Sequence, residues 1–231
     1  MPMSVLDHLD ELRSRLLKVV IVVGLTTSIS FWLSDWMLAW LLKPYPNIAQ
    51  VLTSLTPAGV FVQSMRLALI SGLVIAFPIV AYQFWAFISP GLSPKERKVF
   101  VVSLYAGTFL FVLGLLFAYI FVIPKALDFF WGYSESFGVH LAWTIESYLN
   151  LVLMFLLSFG LAFELPLVLI LLVKGEIVSI ETITQKRPYI IVALSIIAAI
   201  LTPPDVMSLI MLLVPLWVLF ELSVQIAKWI G

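Results

Sequence analysis

Residues 147–173 read SYLNLVLMFLLSFGLAFELPLVLILLV, and this stretch decides the fold class. Its length corresponds to about 40 Å of helix, more than the ~30 Å hydrocarbon core of a bilayer requires. Glu164 is its only charged side chain, with Pro166 two residues on. Such a run reads as a transmembrane span carrying one carboxylate.

The rest of the chain repeats the pattern. Of 231 residues 62% are hydrophobic and 11% charged, and the mean hydropathy is +1.13. Soluble domains hold about 25% charged residues, so a chain this apolar could not cover its own surface in water. Further apolar runs extend over roughly 16–33, 58–88, 99–123, 189–201 and 206–220. The run at 58–88 holds Arg66, Pro78 and Gln83. Between the spans, 34–57 and 124–145 mix aromatic and polar residues as the headgroup layer does. Residues 89–98 and 174–188 are polar loops. The reading is an all-α membrane protein of six transmembrane helices, forming one integral membrane domain over 1–231.

The last two runs are short. At about 20 Å each, they cannot cross the core without a thinned bilayer or help from flanking residues. Pro203-Pro204 separates them, and Pro215 interrupts the second. A shallow side of the protein, set against deformed lipid, is the expectation.

Orientation follows from the bases. Ten of them (Arg13, Arg15, Lys18, Lys95, Arg97, Lys98, Lys174, Lys186, Arg187 and Lys228) fall on one set of loops and termini. The opposite set holds two, Lys43 and Lys125, and Arg66 lies inside a span. Both termini are therefore expected in the cytoplasm. Residues 1–18 mix Asp7, Asp10 and Glu11 with the bases and read as an amphipathic helix rather than a cleavable signal peptide. The formal net charge of zero gives no reason to expect nucleic acid, and the absence of cysteine excludes thiol chemistry.

Some residues are out of place for a simple span. Glu164 lies about 15 Å from the cytoplasmic end of its helix, too deep to reach water easily. An intramembrane acid costs roughly 2.5–3.5 kcal/mol on insertion scales and marks a functional site by default. The alternative is a protonated Glu164 hydrogen-bonded to a neighbouring helix, with Gln83 as partner. Arg66 has a stem long enough to snorkel outward. Glu221, near the end of the last span, suits headgroups as well as function. Asp205 after Pro204 is well placed to cap the final helix. His8 and His140 have no ligand-spaced companions, so neither supports a metal site. Glu11 and Glu96 sit among bases, and local charge balance would account for that spacing. No nucleophile–base pair, catalytic acid pair or phosphate loop is present, which argues against an enzyme.

Five segments then point to a family. They are His8-Leu-Asp-Glu-Leu-Arg-Ser-Arg15, Tyr82-Gln-Phe-Trp-Ala-Phe-Ile88, Lys95-Glu-Arg-Lys98, Phe159-Gly-Leu-Ala-Phe-Glu-Leu-Pro166 and Leu201-Thr-Pro-Pro-Asp-Val206. In this order, on six spans, the pattern resembles the TatC family, the multispanning receptor subunit of the twin-arginine protein translocase. The resemblance runs from the first helix to the last. It departs in a short basic segment after Glu96, in almost no tail beyond the last helix, and in Arg66 where a lysine is usual.

The resemblance implies that the chain binds signal peptides with two consecutive arginines, carried by folded cargo, at its cytoplasmic face. By position, Glu11 and Glu96 correspond to family residues associated with that recognition, supported by Arg13, Arg15, Lys95 and Arg97. Glu164 corresponds to the family's intramembrane acid. Single-span subunits of the TatA and TatB types, membrane lipid and further copies of the chain are the implied partners, and the proton-motive force the implied energy source. The implied location is a bacterial or archaeal inner membrane, with organellar origin left open. A proton-coupled secondary transporter using Glu164 is the rival reading. It would call for clustered polar residues at mid-bilayer and repeated halves.

Overall fold

The computed structural model describes residues 5–45, 48, 51–88, 94–139 and 142–230, with the side chains of 5–8, 88, 94–100 and 230 outside that description. His140 and the side chains of His8, Lys95, Glu96 and Arg97 therefore lie outside the described residues. Two compact units emerge, Met1–Thr108 and Phe109–Gly231.

In the first unit, α1 (Val5–Trp32) fuses the amphipathic start and the first span into one helix of 28 residues. The short α2 (Ser34–Leu42) follows a turn at Leu33. The next helix, α3 (Gly59–Ile88), continues through Pro78. Proline removes one backbone donor, a loss that membrane helices tolerate where neighbours re-satisfy the freed carbonyl.

Helices α1 and α3 pair antiparallel, since partner numbers fall along α3 as they rise along α1. Arg15 meets Gln83 and Thr26 meets Gly72. Without a hydrophobic drive between helices in lipid, close approach depends on small residues. Ala68, Gly72 and Ala76 supply them at four-residue spacing, and both alanines are fully buried. A Cβ at Gly72 would come within 2.5 Å of the Thr27 hydroxyl and 2.6 Å of its backbone nitrogen.

The division between the units falls within α4 (Pro94–Phe117). A π-helical turn, Ala118–Val122, joins α4 to α5 (Ile123–Ser136). Helix α6 (Ile145–Ala162) starts where Thr144 accepts from the Ser147 amide. It breaks before α7 (Leu165–Lys174), because Pro166 offers no N–H to the carbonyl of Ala162. The small α8 (Ile180–Gln185), capped by Ser179, leads to α9 (Arg187–Leu201). The last helix, α10 (Val206–Ile230), has 25 residues. Leu212, Leu216, Phe220 and Val224 recur every fourth residue along it, each under 2% exposed. Helix α10 packs chiefly along α7 and also against α9, and Tyr148, Phe155 and Phe159 of α6 are likewise fully buried.

Among the described residues, five helices are long and apolar enough to cross a membrane: Leu9–Trp32, Gly59–Phe87, Val101–Ser136, Ile145–Lys174 and Val206–Trp229. The fifth expected run, α9, is short as anticipated, at 15 residues. The sixth is not short. Pro215 is accommodated inside α10, and Glu221 to Lys228 extend the helix rather than ending it. The third run is also longer than expected, because helix continues through the π turn to Ser136 where an interfacial segment had been anticipated.

Gly114 gives a direct test of the packing in the second unit. A Cβ there would collide with the Phe159 carbonyl oxygen and lie 2.9 Å from the carbonyl carbon, a backbone obstacle that cannot rotate away. Gly114→Ala should therefore cost about 1–3 kcal/mol, read as a lower thermal midpoint of the purified protein in detergent. Gly24→Ala is the matched control, since a Cβ there meets nothing within 4 Å.

Candidate functional site

Near the start of α1, Glu11 and Arg15 lie one helical turn apart, the spacing at which side chains meet. Arg15 donates from Nε and from one terminal nitrogen to a single Glu11 oxygen, at 2.9 Å and 2.5 Å. Its other terminal nitrogen donates to the side-chain carbonyl of Gln83 at 3.2 Å. Arg15 and Glu11 are 22% and 24% exposed, so water screens the pair only in part. The local charge balance read from the sequence is present. What the sequence did not reveal is Gln83, which reaches the pair from α3, 68 residues away. Gln83, weighed above as a partner for Glu164, instead gives its carbonyl to Arg15.

Arg13 on the same stretch is exposed. Glu96 falls in the first turn of α4, where helical backbone runs from Pro94. The meeting of Glu11 with Glu96 concerns a side chain outside the described residues.

Glu164 lies at the break between α6 and α7. It occupies the N-cap position of α7, but its side chain caps nothing. One of its carboxylate oxygens is buried with no hydrogen-bond partner. The side chain lines a cavity of about 430 Å³. Leu161, Val168 and Leu172 form one wall, Ile190, Leu194 and Ile197 of α9 another, and Leu216 and Phe220 of α10 also line it. Pro166 positions the acid, since breaking the helix turns residues 163–164 out of regular register. Among the lining residues Glu164 is the only ionisable one.

Asp205 caps α10 as the sequence suggested, accepting from the Ser208 amide at 2.7 Å. The turn it ends is tied down twice: Thr202 donates to Ala198 at 2.8 Å, and Ser158 of α6 donates to the Leu201 carbonyl. Glu221 pairs with Arg187 at 3.1 Å, joining the first turn of α9 to the far part of α10. Sequence reasoning treated Arg187 only as one base among ten. Opposite charges near the ends of adjacent apolar runs were the available signal. Arg66 is exposed on α3.

Residues 7–215 match the family model described as Sec-independent protein translocase protein TatC. The chain belongs to the TatC family. It is 35% identical over 230 residues to the TatC protein of Carboxydothermus hydrogenoformans, covering 99% of this chain and 94% of that one. It is 37% identical to that of Haemophilus influenzae, covering 97% and 88%. A crystal structure of the twin-arginine translocase receptor TatC in DDM superposes with a TM-score of 0.85. That structure is 34% identical, with 95% of this chain and 99% of that one covered. The chain is thus a multi-pass membrane component of a protein translocase.

Proposed function

We propose that this TatC-family chain is the signal-peptide receptor and core subunit of its translocase. It binds two consecutive arginines through Glu11 and Glu96 at the cytoplasmic face, for export of folded proteins driven by the proton-motive force. The observation that carries this reading is the Glu11 carboxylate already holding a guanidinium beside the Gln83 carbonyl. Arginine presents a planar fork of donors, and carboxylates are its natural bidentate acceptors. Two arginines call for two acids, and Glu96 is the second. Arg13, Lys95 and Arg97 support the site by confining the acids' field. TatA- and TatB-type single-span subunits, lipid and further copies of the chain are the partners of this reading, within one inner-membrane domain of six spans. Against the solute-transporter alternative, the cavity lined by Glu164 is otherwise apolar.

Crosslinking tests the reading. A photoreactive residue at position 99, one helical turn from Glu96 and leaving it intact, should capture a signal peptide carrying two arginines, and capture should fall sharply when both become glutamine. Equal capture of both peptides would reject the receptor role.

The orientation rests on the ten-to-two division of bases. A cysteine placed at Glu135 should react with a membrane-impermeant reagent in intact cells, and one at Ile180 should not. The reverse pattern would overturn the topology.

A further inference from the structure

We propose that Glu11 and Gln83 form a guanidinium cradle that Arg15 occupies in the resting protein, so that a signal arginine binds by displacing an arginine of the receptor itself. This rests on the receptor reading above and adds a resident competitor to its site.

The geometry is that of an occupied site. Three N–H donors of Arg15 are engaged, two by one Glu11 oxygen and one by the Gln83 carbonyl. A guanidinium has five donors in a fixed fork, and this set of acceptors matches one edge and one tip of it. The acceptors come from different helices, held together by the α1–α3 packing at Thr26 and Gly72. The cradle is therefore tertiary structure, already formed before any peptide arrives. A lysine offers one compact charge and cannot bridge both acceptors, so it gains too little to replace a three-bond occupant.

Displacement has an arithmetic consequence. When the binding-competent state is only partly populated, apparent affinity falls by the populated fraction. An i,i+4 ion pair is weak alone, but partial burial and a third hydrogen bond strengthen it. The cradle is then open roughly a tenth to a third of the time.

The test is binding of a labelled two-arginine signal peptide to the full-length protein in nanodiscs. Arg15→Gln should tighten binding about three- to tenfold. Arg15→Lys, which keeps the charge but loses the fork, should tighten it by a smaller factor, and thermal midpoints of both variants establish that they fold. Removing a base also lessens repulsion of a cationic peptide, so Lys18→Gln serves as the field control. Lys18 is exposed on the same helix, and its loss should change affinity by less than about twofold. Unchanged or weaker binding by folded Arg15 variants would overturn displacement and make Arg15 a positioning residue for Glu11. Equal tightening by Lys18→Gln would overturn it as well, in favour of a diffuse field. Parental affinity in Glu11→Gln would instead remove the recognition reading, and the proposal with it.

Discussion

Replacing Glu96 by glutamine should weaken binding of a two-arginine signal peptide about tenfold or more, while hardly changing binding of a two-lysine peptide. A charge-assisted bidentate contact contributes roughly 1.5–3 kcal/mol, and each ~1.4 kcal/mol is a factor of ten in affinity. Glutamine keeps the shape of the side chain but accepts with one neutral oxygen, so the paired charge and the second acceptor go together. At Glu11 the gain is net of the Arg15 contact that must be given up, and a loss of roughly three- to tenfold is expected there. Lysine cannot make the fork, so a two-lysine peptide has little to lose. If the acids only balanced nearby bases, both peptides would lose equally and slightly. Repeating the titration at high salt separates the accounts further, because a diffuse field is screened while a close, partly desolvated pair persists. Parental affinity in both variants would remove the site assignment without touching the family assignment.

Glu164→Gln should accumulate in the membrane at normal levels yet lose most export of a folded reporter. Glutamine nearly matches the volume of glutamate and keeps hydrogen-bonding capacity, and a neutral group is cheaper to hold in an apolar cavity than a carboxylate. Folding is therefore expected to tolerate or gain from the change. Function is where a half-buried acid with one buried, unpartnered oxygen has its effect. Immunoblotting of membranes gives the first quantity, and periplasmic reporter activity the second. Full export by this variant would put Glu164 in the structural class. Loss of the protein from the membrane would do the same by another route.

The fold was legible wherever the signal was local. Hydropathy fixed the run at 147–173 and the Pro-Pro-Asp sequence announced the cap at Asp205, but the run was read as one span, whereas Pro166 divides it into α6 and α7. The errors came where continuity was decided by tertiary contacts. Glu221 looked like an end of helix because an acid in an apolar run is costly, yet Arg187 neutralises it and α10 continues to Ile230. Likewise the aromatic segment after Pro124 looked interfacial, although proline in a first turn is compatible with helix, and α5 runs on to Ser136. In the candidate site, the Glu11–Arg15 spacing could be read directly. Gln83 could not be joined to it, since that depends on the register of two helices 68 residues apart in the chain.

The Arg187–Glu221 contact also bears on how the chain enters a bilayer during synthesis. Helix α9 has 15 residues, below the ~20 that an isolated segment needs to partition stably across a bilayer. Arg187 at its charged start is paired with an acid on α10, and Ser158 of α6 holds the turn between them through the Leu201 carbonyl. The nascent chain would thus release α9 and α10 into lipid as a preassembled hairpin, after α6 is in place. Biogenesis of this half of the protein is then a single concerted event rather than two successive insertions.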